Sequence, residues 1–89
     1  MAKYPVNCAG SVPRYAGSDP KNKNKFIEEW NIAKKIDEYL NSQAESSEFP
    51  NPNFPYFVIA NDLGLSEKIV RDILFRYDGG THQITVEKS

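Results

Sequence analysis

The stretch that decides the fold of this 89-residue chain is Ile59-Ala-Asn-Asp-Leu-Gly-Leu-Ser-Glu-Lys-Ile-Val-Arg-Asp-Ile-Leu74. Two helices cross at a steep angle when a small residue lies at the crossing and the turn between them bends sharply. Ala60 is the small residue, and Gly64 supplies a turn position that tolerates a positive φ. Leu63 and Leu65 flank that turn and are expected to point inward. The stretch therefore predicts a helix, a tight turn and a second helix.

The two helices around this turn have recognisable ends. Pro55 is expected at the first position of the earlier helix, where its missing N–H is not needed, and Gly64 ends that helix. Ser66 is placed to cap the later helix, which runs to about Tyr77. The whole unit covers residues 55–77. Its buried stripe is expected to consist of Val70, Ile73 and Leu74.

Patterns on both sides of this unit predict one more helix and one strand. Upstream, apolar side chains recur at spacings of three and four residues and predict a first helix over residues 24–42. Its apolar face comprises Phe26, Ile27, Trp30, Ala33, Ile36 and Leu40. Downstream, residues 81–86 alternate as a β-strand, and its partner is open between the 49–54 loop, the N-terminal segment and another subunit. The predicted fold is mostly α with a small β element.

Composition excludes several classes of protein. With 39% apolar and 26% charged residues, the chain suits one small folded domain rather than a disordered segment. No apolar run approaches the roughly 18 residues of a membrane span, and a lone cysteine, Cys8, forms no internal disulfide, so we expect a cytoplasmic protein without membrane contact. One cysteine and one histidine do not supply four zinc ligands. Catalytic motifs are also missing, so no enzyme, metal or cofactor is expected.

The net charge of −1 conceals an asymmetry along the chain. Residues 1–25 carry five basic side chains against one acidic one, whereas residues 26–89 carry six basic against eleven acidic ones. Prolines, glycines and serines over residues 1–23 sustain no periodic pattern, which predicts a basic, flexible N-terminal arm ahead of a domain over residues 24–89. The alternative is that apolar side chains of this segment pack onto the body. These are Tyr4, Val6, Val12 and Tyr15.

The pattern Ile-Ala-x-x-Leu-Gly-Leu-Ser-x-x-x-Val-x-x-Ile-Leu over residues 59–74 resembles the helix-turn-helix signature of small bacterial and phage DNA-binding regulators. With the upstream helix and the final strand, residues 24–89 resemble a winged helix-turn-helix domain. One feature departs from that family, because the nine residues after Gly80 hold one strand more comfortably than the two of a full wing. The resemblance implies that residues 66–77 form a recognition helix in the major groove of double-stranded DNA.

The resemblance also implies which side chains contact DNA. Arg71 is expected to bind a guanine edge, Lys68 a guanine or a phosphate, and Ser66 a phosphate at the helix start. The lysines of the arm are expected to follow phosphates without regard to sequence. The full set is Ser66, Glu67, Lys68, Arg71 and Asp72 on the recognition helix, with Lys21, Lys23 and Lys25 in the arm.

Two functions from different classes follow. The first is sequence-specific binding of double-stranded DNA by a transcriptional regulator of phage, plasmid or bacterial origin. It is expected to be a homodimer, because strand 81–86 leaves an edge for a second copy and two half-sites strengthen binding. The alternative is a protein–protein interaction module on the same fold, without DNA binding. Glu67, Asp72 and the acidic body favour that alternative.

Overall fold

A computed structural model describes residues 2–13, 19–78 and 80–88, which form three helices and a small three-stranded sheet. In chain order the elements are β1 (Ala2–Lys3), a 3-10 turn (Ala9–Ser11), α1 (Pro20–Ser46), β2 (Asn53–Pro55), α2 (Tyr56–Leu63), α3 (Glu67–Asp78) and β3 (Gln83–Glu87). The expectation of a mostly α fold with a small β element is confirmed. One residue discussed above, Tyr15, lies outside the described residues.

The turn between α2 and α3 has the geometry that its sequence predicts. Gly64 has φ of 67°, and the N–H of Leu65 reaches back to the carbonyl oxygen of Ala60 at 2.9 Å. The Ser66 hydroxyl accepts a hydrogen bond from the N–H of Ile69 at 3.2 Å, which caps α3 as expected. The predicted stripe of α3 is buried: Val70, Ile73 and Leu74.

Helix α1 is longer than its apolar periodicity predicts. It begins at Pro20 rather than at residue 24, and it ends at Ser46 rather than at residue 42. The early start has a local cause, because the Asp19 carboxylate accepts a hydrogen bond from the N–H of Lys21 at 3.0 Å and Pro20 suits the first helical position. The lysines that the sequence placed in an arm therefore belong to the first turns of a helix.

Strand β3 is the centre of the sheet, in the order β1-β3-β2. Strand β2 pairs with it in antiparallel fashion, with Phe54 opposite Ile84, and β1 pairs in parallel, with Ala2 opposite Val86. Two of the three partners left open by the sequence, the 49–54 loop and the N-terminal segment, thus pair with this strand. Within the described residues, β2 pairs with one edge of β3 along Gln83–Thr85 and β1 pairs with the other along Val86–Glu87, so β3 is not the unpaired strand that suggested a homodimer.

The N-terminal segment is packed over residues 2–13 and is not a flexible arm there. Five of its side chains are buried, and they are Ala2, Val6, Cys8, Ala9 and Val12. Burial of these apolar groups stabilises the ordered segment and offsets the conformational entropy lost when it is ordered. The prediction of a flexible arm relied on charge and on the lack of periodicity, and it did not take this burial into account. The alternative of packing onto the body describes this part of the chain better than the flexible arm does.

Two side chains of α1 hold this segment by its backbone. The Asp37 carboxylate accepts hydrogen bonds from the N–H of Cys8 at 2.7 Å and from the N–H of Ala9 at 2.9 Å. The Asn41 amide accepts from the N–H of Val6 at 2.6 Å and donates to its carbonyl oxygen at 3.0 Å. We call Asp37 and Asn41 the α1 clasp; they lie four residues apart and therefore share one helix face.

The thiol of Cys8 completes the clasp. Its Sγ lies 2.7 Å from the Asp37 carboxylate, and Asp37 itself is only 7% exposed. Burial, together with the hydrogen bond to Asp37, raises the pKa of the Cys8 thiol. The thiol therefore stays protonated and acts as a third donor to the carboxylate, which makes Cys8 a structural residue rather than a nucleophile.

Removing the clasp carboxylate is expected to destabilise the domain strongly. Asp37→Ala leaves two buried N–H groups and a thiol without their acceptor, and we expect a loss of about 2–4 kcal/mol in the free energy of unfolding. Glu38→Ala is the matched control, because the neighbouring carboxylate is exposed; its effect should stay within about 0.5 kcal/mol. Urea denaturation followed by circular dichroism measures both. Equal stabilities for the two variants would show that the clasp does not hold the segment.

Candidate nucleic-acid interface

The start and the outward face of α3 carry the five side chains that the sequence singles out here. All of them are exposed: Ser66, Glu67, Lys68, Arg71 and Asp72. Lys68, Arg71 and Asp72 lie on the side of the helix opposite Val70 and Leu74, which are fully buried, whereas Ser66 and Glu67 are exposed because they stand at the start of the helix. Because Val70 and Leu74 anchor the helix, the side chains on the outer face are presented from a fixed backbone.

Two cations on this face have no partner among the residues that the structure describes. Lys68 and Arg71 make no side-chain hydrogen bond or ion pair with any residue that the structure describes. Phe75 follows Arg71 by one helical turn and is 56% exposed. The centre of the outward face therefore combines two available positive charges with one exposed aromatic ring.

Further along α3 the side chains are engaged with the N-terminal segment. The Arg76 guanidinium donates to the carbonyl oxygen of Ser11, and the Tyr77 hydroxyl bonds to the Ser11 hydroxyl at 2.8 Å. These contacts tie the last turn of α3 to the segment that the α1 clasp holds. The direction of α3 thus depends on residues that the sequence suggested to be a separate arm.

The three lysines expected in the arm lie on different sides of α1. Lys21, Lys23 and Lys25 are all exposed in its first two turns. Lys25 lines a groove of about 410 Å³ between α1 and α3, where it faces Ile69 and Asp72. Lys23 lines a different groove, beside Trp30. The structure brings Lys25 next to α3 and does not bring Lys23 there.

The groove between α1 and α3 is acidic. Besides Lys25 its charged lining residues are Glu28, Glu29 and Asp72. Three carboxylates against one ammonium group repel phosphates, so this edge of α3 is the less favourable one for DNA. Lys68 and Arg71 do not line that groove.

A short turn occupies the place of a wing. Gly80 has φ of 91°, and a Cβ there would lie 3.2 Å from the ring of Phe75, so a larger residue would displace that ring. The carbonyl oxygen of His82 accepts a hydrogen bond from the N–H of Tyr56 at 3.0 Å, and the two rings meet edge to face, 6.4 Å between centroids. The turn is therefore fixed between the end of α3 and the start of α2.

Sequence reasoning missed one exposed ring near this turn and the hydroxyl buried beside it. Phe57, next to Tyr56 at the start of α2, is 63% exposed. Tyr56 is fully buried, and its hydroxyl has no hydrogen-bond partner among the described residues. The position of Phe57 beside the buried Tyr56 was the available signal, because neighbouring residues on a helix point in different directions.

Comparisons of the chain with protein-family models, with characterised proteins and with solved structures found no match. Within the described residues, no helix combines the length and apolar character needed to cross a membrane. The same residues contain no cluster of three or more His, Cys, Asp or Glu side chains placed to hold a metal ion. The geometry of α3 and its surroundings is thus the basis for assigning a function.

One side-chain hydrogen bond joins α1 to α2, and it makes the free energy of unfolding depend on pH in the alkaline range. The Tyr39 hydroxyl donates to the Asp62 carboxylate at 2.6 Å, and burial together with this bond raises the pKa of Tyr39 to about 12. An unfolded tyrosine titrates near pH 10. The contribution of the bond is therefore complete below about pH 10 and is lost as the pH rises through about 12.

We expect Tyr39→Phe to be less stable than the parent at neutral pH and to lose this part of the alkaline dependence. Urea denaturation of both proteins between neutral pH and about pH 12 measures the difference, which should shrink as the phenol ionises. A difference in stability that stays constant over this range would contradict the role given to the bond. Absorbance titration of the phenols gives an independent check, because the substitution should remove a component that titrates near pH 12.

Proposed function

We propose that the protein binds double-stranded DNA sequence-specifically through the outward face of α3 and acts as a small transcriptional regulator. The observation that carries this proposal is the pair of exposed cations, Lys68 and Arg71, unpaired within the described chain on a helix whose other side is buried. A guanidinium presented in this way can donate two parallel hydrogen bonds to O6 and N7 of a guanine. The ring of Phe75, one turn further on, suits contact with a thymine methyl group.

Both ends of α3 are held in place, and this supports recognition of base sequence rather than a simple attraction for phosphates. Sequence is read by side chains that keep their position relative to the base edges, whereas phosphate contacts tolerate movement. Gly64 sets the turn before α3, Ser66 caps it, and the contacts of Arg76 and Tyr77 with Ser11 fix its last turn. Both ends of the helix are therefore held.

A second function has one observation in its favour. The groove between α1 and α3 combines Glu28, Glu29 and Asp72 with the apolar side chain of Ile69, which is 37% exposed. Such a surface suits a basic, partly apolar protein segment better than it suits DNA. A protein-interaction module on this fold is therefore the competing proposal.

Selection of bound duplexes from a random pool, repeated at two salt concentrations, separates the two proposals. An enriched motif that contains guanine would support DNA reading by Arg71. Binding that is strong at low salt, equal for all sequences and lost at high salt would reduce the role of DNA to electrostatic attraction. No retention at low salt would remove DNA as a partner and favour the protein-interaction module.

We expect Arg71 to contribute to the discrimination between the selected site and random DNA, rather than to the affinity for DNA in general. Arg71→Ala should weaken binding to the selected site by about 1–3 kcal/mol and change binding to random DNA far less. Arg71→Lys is the matched control, because it keeps the charge but lacks the planar pair of donors. Titrations on selected and random duplexes measure both. If Arg71→Lys discriminates as well as the parent, the side chain binds phosphate and does not read a base.

The positions of the lysines lead to different expectations for their salt dependence. Among the described residues, Lys25 is the one cation that offsets the carboxylates lining the groove beside α3. If a phosphate reaches it there, Lys25→Gln should reduce the slope of log affinity against log salt by about 0.9, whereas Lys23→Gln should leave it unchanged. Both variants keep the fold, since both side chains are exposed. Deletion of residues 1–23 would not be a comparable test, because it removes buried side chains of the core. Equal effects of the two substitutions would contradict this division.

A further inference from the structure

The start of α1 extends beyond the core of the domain. Residues 20–32 are exposed or half-buried throughout, and the first buried side chain of the helix is Ala33. Helices in proteins owe most of their stability to an apolar face that packs against another element. This part of α1 therefore has surface on which a further element can pack.

The two sides of this start have different neighbours. On one side, Ile27 and Trp30 line the groove whose far wall is formed by Gly10 and Val12, so the N-terminal segment already lies there. On the other side, α1 faces α3 across the groove of about 410 Å³. The described residues that line this second groove all belong to the two helices. Those from α1 share one face by their spacing and are Lys25, Glu28, Glu29 and Ile32.

Isoleucine side chains form the floor of the groove between α1 and α3. Ile73 is buried and Ile32 is half-buried, whereas Ile69 is 37% exposed. Ile32 belongs to α1, and the other two belong to α3, so an apolar group placed between the helices contacts both of them. Removal of this apolar surface from water favours an occupant with an apolar stripe of its own.

Carboxylates flank this floor on both helices. Glu28 and Glu29 belong to α1, and Asp72 belongs to α3. None of the three forms an ion pair or a side-chain hydrogen bond with any residue that the structure describes. An occupant that carries positive charge on both sides of its apolar stripe is therefore complementary to the groove, whereas a phosphate backbone is repelled.

The backbone of the occupant finds few partners in this groove. Both walls are helices, whose main-chain N–H and C=O groups are bonded within the helix, so they offer no ladder of hydrogen bonds to an extended segment. A helix satisfies its own backbone and presents apolar side chains at spacings of three and four residues. The lining residues of α1 span about 10 Å along the helix, so two to three helical turns are sufficient.

We propose that the groove between α1 and α3 binds a basic amphipathic helix of another protein. Its apolar side chains pack on the three isoleucines, and its lysine or arginine side chains face the three carboxylates. This binding does not depend on the recognition of DNA. Lys68 and Arg71 do not line the groove, so a helix bound there leaves both cations uncovered.

A synthetic helical peptide of about 14 residues tests the proposal on the full chain. It consists of lysine, alanine and leucine, with the leucines on one face at spacings of three and four residues. One comparison peptide has glutamate in place of each lysine, and the other has the same composition in an order that scatters the leucines around the helix. Fluorescence anisotropy of labelled peptides gives the dissociation constants.

We expect a dissociation constant of about 0.1 mM or less for the basic amphipathic peptide, and constants at least about tenfold higher for both comparison peptides. No binding of the basic peptide at about 1 mM would overturn the proposal. Equal binding of either comparison peptide would overturn it as well, because charge and the apolar stripe would then not both be needed. DNA is absent from the experiment, so its failure leaves the proposed reading of DNA by α3 untouched.

Removal of the carboxylates identifies the surface. The variant that neutralises the groove is E28Q/E29Q/D72N. The matched control, which neutralises three exposed carboxylates outside the groove, is E38Q/E45Q/E48Q. The first variant should raise the dissociation constant of the basic peptide about tenfold, and the control should change it about twofold at most. Equal effects of the two variants would show that the peptide responds to the net charge of the chain and would overturn the groove as its site.

Two single substitutions test the apolar floor. Ile69→Ser should raise the dissociation constant about fivefold, because it removes the most exposed apolar side chain of the groove. Ile27→Ser is the matched control, since Ile27 is 42% exposed but lies on the opposite side of α1, and it should leave the constant unchanged. An unchanged constant in Ile69→Ser would overturn the proposed packing. Thermal melting by circular dichroism verifies that all variants fold.

Sedimentation equilibrium of the chain without peptide tests a second copy as the occupant. Neutralising the groove should leave the mass of the chain unchanged. A dimer of the parent chain that is lost in E28Q/E29Q/D72N and kept in the matched control would assign the groove to a second copy and would overturn the proposal.

Discussion

The hydrogen bonds accepted by one carboxylate hold the N-terminal segment against α1. Asp37, in the middle of α1, accepts from Cys8 and Ala9, and this fixes the N-terminal segment along the helix. The position of Ser11 follows, and through Ser11 so does the last turn of α3. A buried carboxylate with three donors is stable only as a complete set, because each donor left alone would be buried without a partner. The orientation of the proposed reading helix is therefore tied to a contact on another helix.

The sequence predicted the features that depend on residues close together along the chain. It did not predict the features that depend on contacts between residues far apart along the chain. Gly64 and Ser66 define a turn and a cap within a few residues, and the periodicity of α3 fixes which side of it is buried. Asp37 and Asn41 give no such local signal, because an acid and an amide on a helix look like solvated residues. Their spacing of four beside the buried Ala33 was the only hint. Their partners lie about thirty residues away, so no local pattern links them.

The candidate site divides in the same way. Exposure of Lys68 and Arg71 follows from helical periodicity and was predictable before the structure. The separation of Lys23 from Lys25 was not, because it depends on α1 beginning at Pro20, which is determined by the carboxylate of Asp19. Once these lysines are helical, two residues of spacing place them on different faces. One of the two then lies beside α3, and the other lines the groove beside Trp30.

The parallel pairing of β1 with β3 brings together residues close to the two ends of the described chain. This pairing closes a loop that contains almost the whole chain. The entropy of closing that loop is lost before the pairing contributes any stability. The α2–α3 unit, whose contacts are close in sequence, can form earlier. During folding, β3 therefore passes through a stage in which one of its edges has hydrogen-bonding groups and no neighbour. At high protein concentration that edge is open to strands of other chains, and refolding yield should fall as concentration rises.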